Sequence, residues 1–169
     1  TTTIENNTSV NDYYQHETNA TAPTELSSTN NSKFEALNPL IDATAKTFED
    51  NEDTTNYTLS SVSSGNEENA SITYKVTFTN PTTQAETVSF KVGTETITIN
   101  VPANSTEASK EVSYSDALKD YYQDVTSVPA PTDLSSTNNS GFEALSPVIT
   151  AEAKEFGDNV DTVYAVISV

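Results

Sequence analysis

The sequence predicts an all-β protein made of tandem immunoglobulin-like β-sandwich repeats, and three observations carry that prediction. The chain repeats itself at one fixed offset, and its apolar residues alternate with polar ones at the period of a strand. Its 169 residues include no cysteine, so stability has to come from packing, hydrogen bonds or a hard metal rather than from disulfides.

The repeat is the strongest of the three. LSSTNNSKFEAL at 26–37 returns as LSSTNNSGFEAL at 134–145, and the same offset of 108 residues aligns Asp12-Tyr13-Tyr14-Gln15 with Asp120-Tyr121-Tyr122-Gln123 and Asp50-Asn51 with Asp158-Asn159. A gapless period of that length is domain-sized, whereas solenoid repeats run about 20–50 residues. Residues 63–113 occur once. The predicted organisation is therefore the C-terminal part of one repeat at 1–53, a complete repeat at 54–161 and the first strand of a further repeat at 162–169. The break at Thr54 follows FEDNED, a stretch of charges and turn formers suited to a linker.

Within the complete unit, SITYKVTFT alternates Ile72, Tyr74, Val76 and Phe78 against polar neighbours, as a strand with one buried face does. Val88, Phe90 and Val92 repeat the pattern, and so do Ile97, Ile99 and Val101. NPTTQ and VGTE lie between these runs and have hairpin length. These inward residues, with Phe142, form the predicted core. A helical turn is expected in SDALKDYY, with Asp116 capping free backbone N–H groups. FEALSPVITAEAKEF fits either a helical stripe or a strand, and Pro147 argues against a continuous helix. About seven short strands in roughly 100 residues is the pattern of an immunoglobulin-like sandwich.

Charge narrows the range of partners. Seven basic residues face 25 acidic ones, a formal charge of −18 that repels nucleic acid and anionic membrane surfaces and attracts cations. No apolar run is long enough to span a bilayer, and the stretch TTTIENNTSV has neither the basic nor the apolar part of a signal peptide. Neither nucleic-acid binding nor direct membrane insertion is expected. The abundance of Ser, Thr and Asn in alternating runs suits an exposed β-rich surface protein.

ASITYKVTFTN, ETITINVPANSTEASKEVSYSDALKDYYQD and GFEALSPVITAEAKEFGDNVDT resemble the tandem immunoglobulin-like extender repeats of giant RTX-type, type I secreted bacterial adhesins. The resemblance covers the whole period in order, and departs from it in having few glycines and in PTDLSSTNNS, which reads as a local insertion. It implies an extracellular, cell-surface spacer that serves adhesion or biofilm formation and contacts adjacent repeats of its own chain. It also implies Ca2+ at the domain junctions, with an acidic residue before the SITY-like strand, here Glu68, completing the site.

The charges support a junction ion separately, because crowded carboxylates repel until a divalent cation bridges them. The candidate metal ligands are Asp50, Asp53 and Glu68 at one junction and Asp158 and Asp161 at the other, with Glu49 and Glu52 nearby and Glu52 and Glu67 expected to point away. The plainer alternative is a set of solvated acidic loops. Asp116, Asp120 and Asp124 form a second acidic set, read as a solvated turn with one cap. His16 is the only histidine and its repeat counterpart is Asp124, so neither an enzyme nor a serine triad is expected. Tyr13, Tyr14, Tyr121 and Tyr122 read as packing residues rather than a sugar platform. Asn6, Asn7, Asn19, Asn30, Asn56, Asn69, Asn104 and Asn138 lie in glycosylation sequons.

Two other classes remain at this stage. A subunit of an extracellular filament would complete residues 1–53 with strands from a neighbouring subunit, TVYAVISV being the plausible donor. A carbohydrate- or ice-binding domain has no dedicated motif here.

Overall fold

The computed structural model describes residues 13–14, 18–48, 52–122 and 125–168. Its elements run β1 (Thr18–Ala20), β2 (Lys46–Phe48), β3 (Thr54–Ser64), a 3-10 turn (Glu67–Asn69), β4 (Ser71–Phe78), β5 (Glu86–Val92), β6 (Glu95–Val101), β7 (Glu107–Ser113), α1 (Ser115–Leu118), β8 (Thr126–Val128), β9 (Thr132–Ser136), β10 (Ala144–Ile149) and β11 (Lys154–Phe156). Seven longer strands divide between a four-stranded sheet, β10-β3-β4-β7, and a three-stranded sheet, β6-β5-β9. β8 and β11 form a separate antiparallel ribbon. The protein is an all-β sandwich.

The alternation seen in the sequence is the alternation of burial. Ile72, Tyr74, Val76 and Phe78 of β4 meet Phe90 of β5 and Ile97 and Ile99 of β6, and all are buried together with Phe142. Tyr74 and Phe90 pack with ring centroids 5.0 Å apart, joining the two sheets. The Tyr74 hydroxyl lies 3.0 Å from that of Tyr114, so the two satisfy each other inside the core. The VGTE hairpin places Gly93 at φ 60°, a left-handed position that glycine takes without strain.

Three regions left open or read differently in the sequence take definite form. Of the two readings open for FEALSPVITAEAKEF the strand holds over ALSPVI, which is β10, paired in parallel with β3 from Ala144 opposite Thr54 to Ile149 opposite Leu59. Pro147 fits because β10 is an edge strand with one side free of ladder bonds. The helical turn starts one residue earlier than expected, at Ser115, and Asp116 lies in its first turn without serving as its cap. PTDLSSTNNS supplies β9, an edge of the second sheet, and is thus built into the sandwich. Glu86, on the inward face of β5, holds this segment. Its carboxylate accepts from the Ser140 N–H, from the Ser136 hydroxyl at 3.1 Å and from the Thr137 hydroxyl at 2.8 Å. Burial pushes the Glu86 carboxyl up, but the donors from Ser140, Thr137 and Asn139 outweigh it and bring it below the ordinary value.

The earlier copy of the repeat reproduces local structure without the sandwich. β1 pairs with β2 in the register Thr18 to Phe48, and β8 with β11 in the register Thr126 to Phe156, the same pairing moved by 108 residues. The turn recurs as well. Asn30 has φ 52° and its side-chain amide both donates to and accepts from the backbone of Phe34, each at 2.9 Å. Asn138, at φ 55°, makes the same two bonds to Phe142. The copies part in long-range pairing and in burial: residues 24–28 and 36–41 form no strand where β9 and β10 do, and Phe142 is 0% exposed and Phe34 60%, Phe156 2% and Phe48 43%.

That contrast predicts the energetics. Phe142→Ala should destabilise the protein by about 3–5 kcal/mol, and Phe34→Ala by less than about 0.5 kcal/mol, as measured by denaturant titration. Equal costs would mean that the earlier copy is packed as the later one is.

Candidate functional site

The complete unit has two poles, set by the length of β3. An 11-residue strand spans about 35 Å. Asp53 therefore sits at one end of the unit and the 66–69 turn at the other.

At the first pole, the earlier copy docks on the unit. Tyr14 forms an antiparallel bridge with Phe142, and its ring stacks on that of Phe142 at 5.4 Å. Its hydroxyl donates to the Pro81 carbonyl at 2.7 Å, and the Glu143 N–H donates to the Tyr13 carbonyl at 3.2 Å. The stack continues inward, Phe142 on Phe78 at 5.9 Å and Phe78 on Tyr57 at 5.3 Å, so a tyrosine of one copy ends a column of rings in the core of the next. The Asp53 N–H donates to the Glu143 carboxylate at this same pole.

At the second pole, the 66–69 turn folds against the segment that leaves the unit. The Glu67 N–H donates to the Gly157 carbonyl at 3.2 Å, and the Asn159 N–H donates to Glu67 Oε1 at 3.0 Å. Glu67 is fully buried, and its Oε2 has no hydrogen-bond partner. The Asn159 N–H holds the Glu67 carboxyl down, but burial and the neighbouring carboxylates of Asp158 and Asp120 together carry it above the ordinary value. A cleft of about 40 Å³, room for a single small guest, opens beside these groups and is lined by Tyr121, Tyr122, Asp158, Asn159 and Asp161.

The predicted ligands distribute themselves accordingly. Asp158 and Asp161 share the second-pole cleft. Asp53 lies at the first pole and Glu68 at the second, so the structure does not bring these two together, because the full length of β3 separates them. Within the turn the inward carboxylate is Glu67, and Glu68 is exposed. Asp50 and Glu49 lie outside the described residues, as do His16, Asp124, Asn6 and Asn7. Glu52 is exposed. Among the described residues, no three acidic or histidine side chains are already gathered closely enough to hold a metal ion.

The profile of the LapA domain matches residues 53–155, more than half of the chain and nearly the whole sandwich. The chain belongs to the LapA domain family. The LapA domain ties the protein to adhesin-related proteins of the cell surface. Comparison with curated proteins and with solved structures returns no match. No helix among the described residues of this LapA protein is long and apolar enough to cross a membrane.

The raised carboxyl of Glu67 sets a pH dependence. Its folded state holds the proton more tightly than the unfolded chain does, so its contribution to stability is complete below the ordinary value near 4.5 and is lost as the pH rises through the higher folded value. Glu86 acts in the opposite sense, its contribution being lost as the pH falls through its lowered folded value. In metal-free buffer, Glu67→Gln should therefore raise the melting temperature at pH 7 and leave it nearly unchanged at pH 4. Thermal scans of both proteins across that range check this, and a melting temperature lowered at pH 7 would contradict the assignment.

Proposed function

We propose that this chain is a spacer, or extender, segment of a bacterial cell-surface adhesin, giving reach and calcium-dependent rigidity to adhesion or biofilm formation. The observation that carries the proposal is the docking of Tyr14 on the first pole of the complete unit. Its repeat counterpart, Tyr122, is exposed at the second pole, beside the segment that leads onward. A unit that presents a tyrosine at one end and a seat for one at the other joins head to tail with a defined orientation. Reach then scales with copy number, and stiffness comes from the joints. Such a role needs no catalytic group.

Calcium is the proposed joint ion, held by Glu67, Asp158 and Asp161 with main-chain oxygens of the same segment. Its coordination is flexible enough to accept carboxylates that are near one another but not preset. The two elements act in concert: the ion would fix the segment leaving one unit, and the tyrosine would fix it on the next. Asp50 is the counterpart of Asp158 and is proposed for the equivalent place in the earlier copy, with Asp53 positioning the chain as it enters β3.

Thermal scans with calcium or EDTA test the ion. At calcium about 100-fold above Kd, linkage contributes about 2.7 kcal/mol, a rise of roughly 10 °C in melting temperature. Glu67→Gln with Asp158→Asn should remove that rise. Small-angle scattering tests the joint: Tyr14→Ala should broaden the distribution of particle lengths while the melting temperature of the complete unit changes little. A melting temperature indifferent to both calcium and EDTA would remove the ion from the proposal. A length distribution indifferent to Tyr14→Ala would remove the latch.

A further inference from the structure

Two loops of the complete unit build the seat that receives Tyr14. Residues 79–85, between β4 and β5, carry the Pro81 carbonyl that accepts from the Tyr14 hydroxyl at 2.7 Å. Residues 137–143, between β9 and β10, carry the Phe142 ring on which Tyr14 stacks. Hydroxyl and ring are met together only if the two loops keep one spacing. Tyr13, the neighbouring residue, offers its carbonyl to the Glu143 N–H and leaves its side chain exposed. The seat therefore takes an extended segment with one tyrosine ring turned inward.

Ser140 holds that spacing. It is buried, and its hydroxyl spends its whole bonding capacity on the other loop: it donates to the Gln84 carbonyl at 3.2 Å and accepts from the Thr83 N–H at 3.1 Å and the Gln84 N–H at 3.3 Å. The Ser140 carbonyl accepts from the Thr83 hydroxyl at 3.1 Å, and the Asn139 amide beside it donates to the Ala85 carbonyl at 2.8 Å. Each loop is also fixed on its own side. The buried Thr82 donates its hydroxyl to the Pro102 carbonyl at 2.6 Å, and the Asn80 amide donates to the Thr55 hydroxyl at 2.9 Å. Residues 137–143 are held by Glu86 and by the Asn138 clasp. Ser140 joins the two held pieces.

We infer that the first pole is a tyrosine-selective seat and that Ser140 is its positioning residue, setting the preference for tyrosine over phenylalanine by fixing the Pro81 carbonyl relative to the Phe142 ring. The inference rests on the docking of Tyr14 as the joint between units and adds what that joint recognises. Stacking on Phe142 needs only an aromatic ring, which phenylalanine supplies as well. The Pro81 carbonyl adds one net hydrogen bond that only tyrosine makes, a preference of about threefold to tenfold. Both copies of the motif carry tyrosine at this position, as Tyr14 and Tyr122. Ser140 acts on the tyrosine through Pro81 and Phe142.

Amide hydrogen exchange of the intact chain tests the inference, because two adjacent amides report on different events. The Glu143 N–H is bonded to the Tyr13 carbonyl and so reads docking. The Phe142 N–H is bonded to the Asn138 side chain at 2.9 Å, a clasp that the earlier copy forms around an exposed Phe34, and so reads the loop alone. Tyr14→Phe should lower the protection of Glu143 about threefold to tenfold, and Tyr14→Ala should abolish it. Ser140→Ala should lower Glu143 protection by a similar factor and leave that of Phe142 unchanged. With Ser140→Ala already in place, Tyr14→Phe should make no further difference, the signature of two residues acting through one contact. Should Ser140→Ala not fold, Thr83→Val removes one of the same ties at an exposed position and should shrink the effect of Tyr14→Phe in the same direction. Glu143 protection equal in the wild type and Tyr14→Phe would overturn the selectivity and leave the docking standing. Additive losses from Tyr14→Phe and Ser140→Ala, or loss of Phe142 protection together with that of Glu143, would overturn the role of Ser140. Glu143 protection that survives Tyr14→Ala would remove the docking itself, and the joint with it.

Discussion

The parallel pairing of β10 with β3 is the constraint on which the unit depends. It joins the entry strand to the last long strand, 90 residues later at Thr54 and Ala144, and so makes the sheet β10-β3-β4-β7 a closure over nearly the whole unit. Local interactions cannot replace it. The ribbon and the asparagine clasp form in both copies of the repeat, yet only the copy with an entry strand buries its phenylalanines. Ribbon and clasp are encoded within about 30 residues and need only turn chemistry, whereas the core needs strands from both ends of the unit.

The structure also separates two buried carboxylates that sequence alone treats alike. Glu86 faces inward among three donors and works as an anchor for the segment that becomes β9. Glu67 faces inward with one donor and two acidic neighbours, and keeps one oxygen without a hydrogen-bond partner at the unit's exit. One has its oxygens filled by donors and the other keeps an oxygen without one, and the difference lies in what surrounds each carboxylate.

What could be seen in the sequence follows from the range of the interactions. The period-two runs of β4, β5 and β6 were legible because each strand buries one face and keeps the other wet. β9 was not, since DLSSTNN contains one large apolar residue and owes its place to Glu86, an acidic residue among the apolar positions of β5. The inward phase of Glu86, two residues before Val88 and four before Phe90, was the available signal. The choice between Glu67 and Glu68 was illegible, because in a 3-10 turn neighbouring residues point in different directions and only the contact with Gly157 and Asn159 decides which faces in. The spacing Asp50 to Asp53 suggested one site, but the distance along β3 from Asp53 to Glu68 needs the strand to be laid out in space. Tyr14 was legible as a packing residue, though not as one that packs on the other copy.

The entry and exit of the unit lie at opposite poles, and the strands that join them run side by side in the same direction. Tension along the axis then pulls β3 toward one pole and β10 toward the other, so the slanted, evenly spaced bonds between them are loaded together in shear rather than opened one after another as in a hairpin. Forced unfolding is governed by the rate at which such a barrier is crossed, not by the equilibrium stability of the domain. A sandwich of ordinary thermal stability can on this geometry be a strong mechanical element, resisting drag along its length while yielding readily to a sideways pull that peels an edge.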